Sequence, residues 1–122
     1  MQTKEQKRSL FALEQISRHF NDQVDQETAN FIVGMPTMIL TNGLGQSMAF
    51  LLSKGERQSK YGRVFDIIST WLQQDIQELA APSEMEFLKQ FSRLDQSVYL
   101  TAQQETLAVL QWLKRYARAF QQ

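Results

Sequence analysis

The chain has 122 residues, 43% of them hydrophobic and 21% charged, and its 13 Lys and Arg are balanced by 13 Asp and Glu. That length suits a single domain, residues 1–122, able to bury a core without metal or disulfide support, and the apolar content excludes intrinsic disorder. The absence of cysteine removes thiolate nucleophiles, zinc–thiolate sites and disulfides together, as in a reducing cytoplasm, while no apolar run approaches the roughly 20 residues that cross a bilayer.

The polar opening Met1–Arg8 has no signal-peptide pattern. Thr3-Lys4-Glu5-Gln6 has the form of a capping box, and Leu10, Leu13, Ile16 and Phe20 follow at helical spacing until Asn21 and Asp22 break the pattern. A short helix is expected after Asp25, stopping at Gly34. Pro36 then suits the first turn of a third helix, buried along Leu40, Leu44, Met48, Leu51 and Leu52 and stopped by Gly55. The fourth helix has the clearest period, through Tyr61, Val64, Phe65, Ile68, Trp71, Leu72, Ile76 and Leu79, and Pro82 closes it. Ser83-Glu84-Met85-Glu86 reads as a second capping box for a helix to about Phe91. Leu94 to Leu100 reads as a turn or short helical piece, and Thr101-Ala102-Gln103-Gln104 as the cap of a long last helix. No segment alternates over a strand's length. The expectation is an all-α fold, a compact bundle of about five to seven helices.

Charge is unevenly spread. Lys54, Arg57, Lys60 and Arg63 face only Glu56 within residues 54–63, whereas residues 64–88 hold Asp66, Asp75, Glu78, Glu84 and Glu86 and no cation. After Glu105 the sign reverses again with Lys114, Arg115 and Arg118. Segregation of this kind suits copies stacking head to tail, or a basic face serving a larger assembly. On the last helix Val109, Leu113, Tyr116, Ala117 and Phe120 fall on one side and the three cations on the other. That basic side is either a solvated face matched to the helix dipole or a strip for phosphates.

Candidate chemistry is sparse. A single histidine, His19, excludes two-histidine zinc motifs and has no cysteine nucleophile to activate, so it reads as a surface or packing residue. Asp75 with Glu78, or Glu84 with Glu86, could hold Mg²⁺ or act as acid and base, but their places match ordinary helix surface and capping positions. Asn42-Gly43-Leu44-Gly45-Gln46 lacks the Lys-Ser/Thr ending and the preceding strand of a phosphate-binding loop. Gly43, Gly45 and Ser47 instead permit close approach of another helix, within the chain or from a partner. The expectation is therefore no catalytic residue, no metal and no cofactor.

Met35-Pro36-Thr37-Met38-Ile39, then Asn42-Gly43-Leu44-Gly45-Gln46 and Met48-Ala49-Phe50, followed by Tyr99-Leu100, Glu105-Thr106-Leu107 and Trp112-Leu113-Lys114-Arg115-Tyr116-Ala117, resemble in order and spacing the two motifs of one family. That family is the small all-helical subunit of the type III-B CRISPR effector, the Cmr complex. Tyr116 stands where phenylalanine is more usual, and residues 91–98 match nothing in the family pattern. The resemblance implies a non-catalytic subunit of an antiviral, RNA-guided complex in the cytoplasm, stacked in several copies beside other subunits and supporting the guide–target RNA duplex. It makes Lys54, Arg57, Lys60, Arg63, Lys114, Arg115 and Arg118 candidates for sequence-independent phosphate contacts, with Arg8 a weaker addition. Two other readings stay open. One is a helical oligomerisation module without nucleic-acid contact. The other is a helix-turn-helix protein placing Gln111, Lys114, Arg115 and Arg118 in a major groove.

Overall fold

In the computed structural model, which describes residues 1–122, six α-helices follow one another. They are α1 (Lys4–Phe20), α2 (Gln26–Asn42), α3 (Leu44–Lys54), α4 (Lys60–Asp75), α5 (Glu84–Ser92) and α6 (Gln96–Ala119), with a 3₁₀ turn at Gln77–Leu79. Polar side chains set four of the starts. The Thr3 hydroxyl accepts from Gln6 N–H while the Gln6 carboxamide accepts from Thr3 N–H, completing the capping box. Asp25, Ser59 and Ser83 accept in the same way from Thr28, Gly62 and Glu86. Each such cap is worth about 1 kcal/mol. Asn21 and Asp22 end α1 in the left-handed region, at φ 54° and 63°, which short polar side chains tolerate.

Three boundaries differ from expectation. α4 stops at Asp75, short of Leu79, because Ile76 turns extended (φ −120°, ψ 113°) and Gln77–Leu79 forms the separate 3₁₀ turn. Two further differences are larger. α2 runs through Gly34 and Pro36 instead of stopping there, and the break comes at Gly43. Proline in a helix interior removes one hydrogen bond and normally costs about 3 kcal/mol. Here Ile32, Met35, Pro36 and Ile39 are all buried in one stripe, so packing of that stripe outweighs local preference. Leu40, counted as core in the uninterrupted reading, lies on the outside at 69% exposure. Gly43 takes φ 83°, which a side chain would strain, and ends α2 and starts α3 within one residue. The third difference is α6, which begins at Gln96, so Thr101 is internal to the helix. Its hydroxyl donates to the Ser97 carbonyl 3.0 Å away, one turn earlier, and this bond satisfies a residue that otherwise signals a cap. Smaller shifts affect the faces. α1 buries Phe11, Ala12, Gln15 and Ile16 while Leu10 stays half exposed, and Phe120, which ends α6, is 39% exposed.

One cluster of 26 buried apolar residues draws on every helix. α6 lies at its centre, packed on α1, α2 and α4, and buries Ala102, Thr106, Val109, Leu110, Leu113 and Ala117. The two sequence motifs meet there. Gly45 N–H donates to the Tyr99 hydroxyl (3.0 Å) and Leu44 N–H to the Gln103 carboxamide (3.0 Å), with the Tyr99 oxygen 3.4 Å from where a Cβ on Gly43 would lie. The close approach permitted by the small residues is thus made by α6 of the same chain.

Candidate nucleic-acid interface

α2 and α6 run antiparallel, and an isolated parallel bridge, Val24 with Gln121, pins the end of α6 to the α1–α2 turn. Val24 N–H donates to Phe120 O (3.0 Å) and Gln122 N–H to Val24 O (2.9 Å). The start of α4 reaches the same end, where Arg63 Nη1 donates to His19 O (2.6 Å) and Lys60 Nζ lies 2.5 Å from Glu27. The ends of α1 and α6 and the starts of α2 and α4 therefore meet at one pole, and both basic clusters gather around it.

The α6 cluster forms a strip running from that pole beside α2. Lys114, Arg115 and Arg118, with Val33 of α2, line one shallow depression. Arg115 and Arg118 are exposed and Lys114 partly so. None of the three enters an ion pair, and only Arg118 has a side-chain partner, the Gln121 carboxamide at 2.9 Å. The strip lies opposite the buried stripe Val109–Leu113–Ala117, as the helical period requires.

The other four cations have more varied surroundings. Lys54 ends α3 without an acidic partner, its ammonium 5.6 Å from the Phe50 ring centroid. Arg57, in the connection to α4, is 80% exposed and stands 3.6 Å from Glu84. Lys60 sits between Phe31 (5.6 Å) and Tyr61 (5.3 Å), and its bond to Glu27 raises its pKa above the usual lysine range. Arg63 is partly buried and committed to backbone. Its Nε donates to Gln58 O (2.8 Å) and its Nη1 to His19 O, one of the carbonyls left open at the end of α1. Arg63 thus ties α4 to α1 through two of its donors, which leaves Nη2 without a partner.

Gly62 explains how the connection carrying Arg57 lies so close to α4. A Cβ at Gly62 would fall 2.5 Å from Glu56 O and closer still to Arg57 O. Only glycine lets that backbone rest on the first turn of the helix.

A cleft between the end of α1, α4 and the start of α5 brings Arg18 and His19 up to Arg57, Gln58 and Arg63, beside Asp66 and Glu84. Arg18 was absent from the sequence-derived set because it stands alone in its segment, and only the antiparallel packing of α1 on α4 adds it to the cluster. Burial pushes the His19 imidazole below its usual range although Asp66 Oδ2, 2.9 Å from Nε2, pulls the other way. Arg8 lies elsewhere and is fully engaged. It makes a two-pronged pair with Glu105, Nε to Oε1 (2.7 Å) and Nη2 to Oε2 (2.8 Å), and its Nη1 bonds Glu5 (2.6 Å). Trp71 Nε1 adds a third donor to Glu105 at 3.0 Å.

The carboxylates singled out from sequence are dispersed. Asp75 pairs with Lys4, Glu84 with Arg57 and Glu86 with Lys89, and no three His, Asp or Glu side chains converge as a metal site would require. No helix is long and apolar enough to cross a membrane. A family model described as CRISPR-associated protein (Cas_Cmr5) matches residues 4–120, from the first turn of α1 to the end of α6.

Proposed function

The chain belongs to that CRISPR-associated family, the small subunit of the type III-B Cmr complex, and from this premise we propose that it is a non-catalytic subunit, present in several copies, that supports target RNA through phosphate contacts in the cytoplasm. The observation carrying this reading is the α6 strip: three neighbouring cations without an acidic partner, lying on the outer side of the most deeply packed helix. Closely spaced cations of this kind release counterions on meeting phosphates, and that release supplies sequence-independent affinity. Lys54, Arg57 and Arg18 extend the field around the same pole. Lys60 joins only by exchanging Glu27, and Arg63 acts mainly by holding α4 against α1. The dispersal of the carboxylates among ion pairs supports the absence of catalysis.

A helix-turn-helix role fits less well. α5 and α6 are joined by residues 93–95, a suitably short turn. A recognition helix, however, reads bases with its N-terminal residues, and α6 carries no Lys or Arg before Lys114.

The test is the triple replacement of Lys114, Arg115 and Arg118 by alanine in a reconstituted effector complex. The side chains point away from the core, so the subunit should assemble at normal occupancy. Target-RNA affinity should fall equally for unrelated guide–target pairs. The slope of log affinity against log salt should decrease by about 0.7 per contact on a single strand and about 0.9 on a duplex. Unchanged affinity and slope at equal occupancy would remove the strip from the RNA path.

A further inference from the structure

At the corner where α3 passes into α4, three partly buried rings form a continuous patch. Tyr61 of α4 stands edge-to-face with Phe31 of α2 (4.9 Å between centroids, 72°) and with Phe50 of α3 (6.1 Å, 78°). Cations sit against each ring, Lys54 on Phe50 and Lys60 on both Phe31 and Tyr61. The first turn of α4 holds Lys60 and Arg63 and no acidic residue. Cations at the positive end of a helix dipole are electrostatically misplaced, and an arriving anion relieves that conflict. The acid that now neutralises Lys60, Glu27, is 80% exposed and free to yield its place.

Rings alone would be ordinary edges of a core, and lysines alone an ordinary solvated face. Their interleaving is the combination that single-stranded nucleic acid uses, in which cations follow the backbone and aromatic rings receive bases. A duplex cannot use the rings, because its bases are already stacked on one another. We propose that this corner holds an unpaired stretch of RNA, with one base stacked on the Phe50 ring and edge-on to Tyr61, and the flanking phosphates on Lys54 and Lys60. The proposal rests on the RNA-binding reading above and adds to it the strand state and the stacking contact.

The probe is a fluorescein-labelled oligouridylate, compared with an RNA duplex of the same length, titrated into the full chain by anisotropy at several salt concentrations. Phe50→Leu and Tyr61→Leu should each weaken single-strand binding about tenfold with the salt slope unchanged and duplex binding unaffected. Tyr61→Phe should retain wild-type affinity. Lys54→Gln should lower the slope instead. As a check independent of any variant, the ring protons of Phe50 and Tyr61 should shift in the NMR spectrum on adding oligouridylate and not on adding duplex. If Lys54→Gln and Arg57→Gln weaken binding while the leucine variants do not and the ring protons stay put, stacking is wrong and phosphate support stands. If none of these charge changes alters binding and neither do those on α6, the RNA-binding reading itself fails.

Discussion

Glu105 shows how one residue can organise three helices. It lies on α6, only 8% exposed, and receives Arg8 of α1 twice and the indole of Trp71 of α4 once. Burial by itself would raise its pKa. The bonds and charge of Arg8 and the Trp71 bond outweigh burial and hold the carboxyl below its usual range. A carboxylate depressed in the folded state adds stability above its unfolded pKa, about 4.3, and that contribution is lost as pH falls through the lower folded value. Glu105→Gln should therefore destabilise the protein at neutral pH and flatten the decline of stability below about pH 4. Glu105→Ala leaves a guanidinium and an indole N–H unpaired and should cost about 3 kcal/mol, read as a shift in the urea midpoint at unchanged m value. Equal acid sensitivity of wild type and Glu105→Gln would assign the pH dependence to other carboxylates. Sequence alone gave Glu105 no role beyond membership of a motif, because its partners stand 97 and 34 positions away.

At the scale of elements, the legible helices are those whose start has a side-chain cap and whose stripe is unbroken. α1 and α5 begin where Thr3 and Ser83 cap them, and α4 keeps its expected period from Val64 to Leu72 but ends at Asp75, before the expected Leu79. The illegible boundaries are those where burial overrules local preference, as at Pro36, or where a hydroxyl satisfies itself inside a helix, as at Thr101. The basic strip of α6 was legible because period fixes a face. The union of Arg18 with Arg57 was not, because it depends on how α1 packs on α4. Two glycines within helices should respond in opposite directions to a methyl group. Gly34 is exposed with nothing within 4 Å of an added Cβ, so Gly34→Ala should stabilise by 0.5–1 kcal/mol, or a few degrees in Tm. Gly62→Ala should destabilise by about 1–3 kcal/mol by forcing the backbone of residues 56–57 off α4. It should also weaken RNA binding by displacing Arg57. Paired thermal melts of the two variants check both signs, and a stabilised Gly62→Ala would refute the close-approach account.

Considered as a whole, the molecule consumes part of its own charge segregation. Arg57 of the basic segment meets Glu84 of the acidic one, while Glu27 and Lys4, from outside both segments, neutralise Lys60 and Asp75. What remains for neighbours is the unpaired remainder, which among the cations includes Arg18, Lys54, Lys114, Arg115 and Arg118. Contacts between isolated copies should therefore be weak and screened within about 10 Å at 0.1 M salt. Sedimentation should show association that grows with protein concentration and disappears as salt is added. A tight dimer insensitive to salt would point instead to an apolar seam, for which exposed Leu40 and Leu100 would be the first places to look.

The central place of α6 also bears on how the chain acquires its structure during synthesis. The helix that the others pack around is the last of the six to be made, and Arg8 cannot meet Glu105 until 97 further positions have been added. Until then the apolar stripes of α1 and α2 lack the helix on which each packs most, although α2, α3 and α4 can already close on one another. Search over such separations slows folding relative to helical proteins built from neighbouring hairpins, and it leaves those stripes open to wrong partners on the ribosome. A nascent chain stalled before α6 should accordingly be protease-sensitive and bound by chaperones, with native protection arriving in a single late step.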